Sequence, residues 1–125
     1  MIPIERVLRI HELLISEFGG SPGLRDRNGL ESALMRPLST FDGQELYHTA
    51  IEKAAALAES ILINHPFVDG NKRIGYVLMQ LTLLENDVEI YASEEEKYNM
   101  VISVSKGELD HKGICDWLNQ HLGKM

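Results

Sequence analysis

One cysteine, one tryptophan, four prolines and 6 % aromatic residues are few for a chain of 125 residues, and each shortage removes an explanation. A lone Cys115 makes no internal disulfide and cannot supply the paired thiolates of a cysteine-based zinc site, so a reducing, cytoplasmic setting is expected. No apolar run is long enough to cross a bilayer, and Met1 to Arg6 lacks the basic start and apolar core of a signal peptide. A soluble protein with no membrane partner is expected. Basic residues are also short, 12 against 19 acidic ones, for a net charge of -7. Affinity for a phosphate backbone comes from clustered Lys and Arg that release counterions, so nucleic acid is disfavoured as a partner.

What is present suits one helical domain over residues 1–125, since 44 % hydrophobic residues in a chain of this length can bury a single core. Ile4, Val7, Leu8, Leu13, Leu14 and Phe18 recur at helical spacing until Gly19-Gly20 stops them. Ser21-Pro22-Gly23 reads as a turn, Asn28 as the cap of a short helix, and Pro37 as its end. A loop or small hairpin is expected from Leu38 to Gly43. From Gln44 to Asn64 an Ala-rich stretch stacks Ile51, Ala54, Ala55, Ala58, Ile61 and Leu62 on one side, as a central buried helix would. A second apolar helix follows from about Asn71 to Glu85. Val88 to Tyr91 reads as extended, Ser93 with Glu96 as a capping box, and Asp110 as the cap of a last helix carrying Ile114, Trp117, Leu118 and Leu122. The expected class is all-α, with about six helices.

Between the two central helices lies His65-Pro66-Phe67-Val68-Asp69-Gly70-Asn71-Lys72-Arg73. An imidazole, a carboxylate, a glycine, an amide and two cations fall together at a helix start. Such a start leaves N–H groups unpaired and carries partial positive charge, so it accepts phosphate oxygens. Gly70 permits close approach of a ligand, and Lys72 and Arg73 add full charges. Asp69 is placed to hold magnesium beside phosphates, and His65 to take a proton from an attacking hydroxyl. The residues alone also allow a plainer reading, in which Asp69-Gly70 is a turn, Asn71 a cap, and Lys72 and Arg73 a solvated first turn. That reading leaves unexplained why cations sit against the helix dipole.

The run HPFVDGNKR resembles the signature of the Fic/Doc superfamily, and Lys72 in place of the signature's second glycine is similar to its death-on-curing (Doc) branch. Gly19 to Asp26, Gly29 to Leu34 and Arg36-Pro37 also resemble Doc-type proteins. The resemblance implies a compact helical bundle with a short flap at Ser39 to Tyr47. It implies that His65 is the general base toward a protein hydroxyl and Asp69 the ligand of Mg2+. Phe67 would anchor the loop and be counted with Gly70, Asn71, Lys72 and Arg73 at the ATP site, Lys72 and Arg73 serving catalysis as well. It implies transfer of the gamma phosphate of ATP to a Ser or Thr of a target, elongation factor Tu, which blocks translation, with an antitoxin acting in trans.

Two other readings stand beside this one. Gly70, where Doc-type motifs more often have Ala, is compatible with a Fic-type AMP transferase, although Tyr76 occupies the place of that pattern's second arginine. A silent binding module with the same fold would be expected to have lost His65 or Asp69. His11, His48, His111 and His121 lack the spacing of metal ligands and read as surface or packing residues. Cys115 lacks the neighbours of a reactive thiol, Glu94 to Glu96 read as first-turn charge, and Trp117 as core.

Overall fold

The computed structural model describes residues 2–124. Its elements follow in the order α1 (Ile4–Phe18), α2 (Arg27–Met35), a 3-10 turn (Arg36–Leu38), β1 (Thr40–Phe41), β2 (Gln44–Glu45), α3 (Ala50–Asn64), α4 (Asn71–Leu84), β3 (Val88–Ile90), α5 (Glu94–Ser105), α6 (His111–Gln120) and β4 (Leu122–Lys124). The chain is thus mainly helical, with six helices and two small antiparallel sheets among the described residues.

α3 and α4 are buried on two sides, and this makes them the spine. Ala54, Ala55, Ala58 and Leu62 of α3 join Met79 and Leu83 of α4 in one core with α5 and α6, which add Met100, Val101, Val104, Ile114 and Leu118. Leu57 and Ile61, with Ile74 and Leu78, face a second core with Val7 of α1 and Leu30, Ala33 and Leu34 of α2. Small residues let the helices approach: a Cβ on Gly75 would lie 3.0 Å from Leu62. Any larger residue there would push α4 off α3.

Local chemistry sets the boundaries, and two differ from the sequence reading. α2 starts one residue after Asp26, whose carboxylate accepts from Gly29 N at 2.9 Å, so the cap is Asp26 and not Asn28. α3 starts at Ala50 behind the Thr49 cap, six residues later than the composition suggested. The intervening residues are taken by a hairpin. Its two-residue loop, Asp42-Gly43, has both φ values positive (54° and 77°), the backbone a tight primed turn demands. Arg36 secures this region, donating to Tyr47 Oη at 2.9 Å and to Ala56 O at 3.2 Å while pairing with Glu59 at 2.8 Å.

The pairing of β3 with β4, in the register Val88↔Lys124 to Ile90↔Leu122, was outside the sequence reading, which had Leu122 in the last helix; α6 ends at Gln120 and Leu122 pairs with Ile90 instead. It ties the C-terminal end back to the turn after α4. His121, just before β4, donates from Nδ1 to Trp117 O at 2.8 Å and meets Glu96 from Nε2 at 3.0 Å. The Trp117 carbonyl and then Glu96 raise the His121 pKa above its ordinary 6.5. The Ser93 backbone N–H and then His121 lower Glu96 to about 2.

A raised imidazole stabilises the fold below its unfolded value, and the contribution disappears as pH climbs through the folded value. A depressed carboxylate stabilises above its unfolded value, and the contribution disappears as pH falls through about 2. Both therefore act together between pH 4.5 and 6.5, the ordinary values of the two groups. Glu96→Gln keeps the capping box and removes the ion pair. Its loss of stability, followed by urea unfolding across pH, should be greatest in that window and shrink above it, while the NMR titration of His121 moves back toward 6.5. A pH-independent loss would contradict the pair.

Candidate active site

The bend between α3 and α4 is built by a conflict of backbone preferences. His65 caps α3 in the left-handed region, φ 47° and ψ 59°, its N–H still bonded to Ile61 O at 3.1 Å. A non-glycine residue there is strained by about 1–2 kcal/mol, and Pro66 then forbids the helix to continue. Gly70 re-enters at φ 76° as the cap of α4. No side chain caps α4, so its first-turn N–H groups are left for something else.

Asn71 holds the loop closed. Its Oδ1 accepts from Phe67 N at 3.0 Å and its Nδ2 donates to Phe67 O at 2.9 Å. Phe67 is 1 % exposed and packs in the second core, under the loop. Although the resemblance counts it among nucleotide-binding residues, its ring lines no part of the cleft, because it is the residue that pins the loop to the core.

A second loop, Gly19 to Asp26, clamps the first. Leu24 forms an isolated bridge with Phe67, and Arg25 N and Asp26 N both donate to Pro66 O, at 2.8 and 2.9 Å. The Arg25 guanidinium donates to His65 O at 3.0 Å and to Asn64 O at 2.9 Å, so a cation covers the carbonyls that end α3. Ser21 N donates to Asp69 Oδ2 at 3.1 Å, and Gly20 is required beside it, since a Cβ there would stand 2.9 Å from that oxygen.

His11 completes the support. It is 3 % exposed, stacks on Phe67 with ring centroids 3.8 Å apart, and places Nε2 2.7 Å from Asp69 O. A carbonyl only accepts, so Nε2 carries the proton. Sequence reasoning set His11 among the surface or packing histidines; it is buried, and what it packs is the loop that bears the candidate site.

His65, Asp69, Gly70, Asn71, Lys72 and Arg73 all line one cleft of about 740 Å³. Leu14 and Phe18 of α1 border it, as do Tyr76, Val77 and Gln80 farther along α4 and Glu94, Lys97, Tyr98 and Val101 of α5. The α5 wall carries no motif, which is why the sequence did not disclose it. Arg73, an exposed residue, lies over the Phe18 ring, 4.2 Å from its centroid, a surface cation–π contact that favours its position at the cleft edge.

Asp69 is held ionised. Hydrogen bonds from the Ser21 and Gly70 N–H groups lower its pKa, with a smaller contribution from the Lys72 charge. Each carboxylate oxygen accepts one N–H, Oδ1 from Gly70 at 2.8 Å and Oδ2 from Ser21. Both keep a lone pair. Among the described residues no group of three or more His, Cys, Asp or Glu could enclose a metal. A single ionised carboxylate beside an anion-binding helix start fits Mg2+, which binds through one or two carboxylates, substrate phosphates and water.

The support predicts a contrast between two histidines. His11→Ala removes a buried stacked ring and a hydrogen bond, and should lower the unfolding free energy by about 2–4 kcal/mol. His48→Ala, at an exposed position, should change it by no more than about 0.5 kcal/mol. Equal effects in chemical denaturation would remove His11 from the role described.

Residues 2–83 match the Fic/DOC family. Over 75 residues the chain is 40 % identical to Toxin Doc of Mycolicibacterium smegmatis, an overlap of 60 % of this chain and 58 % of that protein. Over 119 residues it is 26 % identical to Protein kinase doc of Escherichia phage P1, covering 95 % of this chain and 93 % of the phage protein. The chain thus spans little more than half of the mycobacterial relative and nearly all of the phage one. With α1, the clamp loop, the motif bend and almost all of α4 inside the matched residues, this chain belongs to the Fic/DOC family.

Proposed function

We propose that this chain is a Doc-type toxin kinase that transfers the gamma phosphate of ATP to a Ser or Thr hydroxyl of a target protein. The observation that carries this reading is the convergence, in one cleft, of His65, the ionised Asp69 and the uncapped, cationic start of α4. The names of its relatives, one a toxin and one a protein kinase, support it.

In this reading the first-turn N–H groups of α4, with Lys72 and Arg73, bind the phosphates and stabilise charge that develops during transfer. Asp69 would hold Mg2+, which when bound would neutralise phosphate charge. His65 takes the proton of the target hydroxyl as its oxygen bonds to the gamma phosphorus. The bond from that phosphorus to the bridging oxygen breaks, and ADP leaves. Lys72, filling the place of a glycine at the helix start, narrows the room for an alpha phosphate and favours the kinase over AMP transfer.

Elongation factor Tu is the expected target, its modification blocking translation in the cytoplasm, and a separate antitoxin protein is the expected restraint. The β1–β2 hairpin offers its backbone edge, with Phe41 and Leu46 exposed at 75 % and 50 %, to an extended target segment by strand addition.

Purified protein incubated with magnesium, elongation factor Tu and ATP should transfer label from the gamma position and none from the alpha position. His65→Ala should reduce the rate by roughly a hundred- to ten-thousandfold, the usual contribution of a general base. Label from the alpha position would make the protein an AMP transferase. Absence of transfer from either, to this factor and to a cell extract alike, would leave the fold as a binding module.

A further inference from the structure

Arg25 directs its charge at backbone carbonyls and not at a carboxylate. Its Nε donates to His65 O at 3.0 Å, and one terminal nitrogen donates to Asn64 O at 2.9 Å and to His65 O as well. Among the described residues it forms no salt bridge. A contact reaching across 40 residues of chain thus ends on the peptide that carries the candidate base.

That peptide decides where the imidazole points. His65 lies at φ 47° and ψ 59°, a left-handed backbone that a non-glycine residue adopts against a roughly five- to thirtyfold preference for other regions. Pro66 disfavours the helical region for the residue before it, so extended backbone is the competing state. With α3 fixed in the core, rotation about the His65 N–Cα bond moves the carbonyl carbon and the Cβ together. A planar guanidinium laid across two successive carbonyls resists that rotation, and so holds the direction in which the imidazole leaves the chain.

Other contacts keep the bend folded without fixing this angle. Asn71 closes the loop on Phe67, and the Arg25 and Asp26 N–H groups bond Pro66 O, all independently of the Arg25 side chain. Arg25 and Asn64 are exposed and His65 is half-buried, so water can replace the guanidinium as donor, at little loss of stability. Water gives no fixed direction. We propose that Arg25 is the positioning residue for His65, its guanidinium holding the left-handed peptide that aims the imidazole into the cleft. The same loop bonds Asp69 through Ser21 N, so one segment sets both groups. The assignment rests on the kinase reading for the role of His65, and adds what orients it.

Two readouts test this: transfer of label from gamma-labelled ATP to elongation factor Tu, and the His65 backbone carbon shifts in NMR, which report the left-handed conformation without any need for transfer. Arg25→Ala should lower kcat roughly ten- to hundredfold, the scale of a misplaced catalytic group, with KM for ATP and the melting temperature near wild type. Its His65 shifts should move toward extended values. Arg25→Lys, which keeps the charge but not the planar fork, should fall between. Arg27→Ala, in an exposed pair with Glu31, should match wild type throughout. His65 shifts that stay at wild-type values in both Arg25 variants would overturn the proposal. So would an unchanged kcat, and a raised KM for ATP beside it would make Arg25 a nucleotide contact instead. If Arg25→Ala does not fold, the lysine variant decides by the same criteria. Wild-type protein that transfers no label would refute the kinase reading separately, and the shifts would still decide what holds His65.

Discussion

The stack of Phe67 on His11 is the contact on which the candidate site depends. Two flat rings at 3.8 Å, one from the bend and one from the first helix, fix the bend over the core. Burying a phenylalanine contributes about 1.5–3 kcal/mol, and a favourable ring pair adds about 0.5–1.5 kcal/mol. These gains offset the left-handed backbone at His65. The same imidazole bonds the carbonyl of Asp69, so the core contact and the position of the carboxylate are parts of one arrangement. A loop held only by its own hydrogen bonds would be free to rotate Asp69 away from the helix start.

The local charge at the start of α4 runs against the global charge. The chain carries -7 overall, yet Lys72 and Arg73 stand in the cleft with the uncapped start of α4, while Lys97 across from them is paired with Glu94. An acidic exterior discourages loose binding of polyanions elsewhere, whereas concentrated positive potential in a concave site attracts a compact anion. Asp69 adds one negative charge at the helix start, which the Ser21 and Gly70 N–H groups stabilise. Both of its oxygens are engaged by backbone N–H groups, and its remaining lone pairs suit a divalent cation that would itself add positive charge.

Much of this was legible in the sequence because short-range rules governed it. Gly19 ended α1, Ser93 and Glu96 made the capping box, Asp110 capped α6, and the turn before Asn71 separated two apolar helices. Errors arose where two short-range signals competed. Asn28 and Asp26 are both good caps, and only Asp26 has its carboxylate beside the free N–H of Gly29. The Gln44 to His48 segment is compatible with helix by composition, but the Asp42-Gly43 turn commits its start to a hairpin. Long-range facts were illegible: the pairing of β3 with β4, the reach of Arg25 to the end of α3, and the approach of His11 to Asp69 over a separation of 58 residues.

The two walls of the cleft therefore carry information of different kinds. The bend and the start of α4 fall within the residues matched to the family, and their features are those any phosphate-handling helix start requires. α5 falls outside that match, and it presents Lys97 and Tyr98 with no recognisable spacing. The first wall is therefore legible from short-range spacing, whereas the second exists only because α5 packs back against α4. Exposed side chains on α5, Tyr98 among them, can change without disturbing the bend, because neither Phe67, His11 nor Asn71, which hold it, touches that helix.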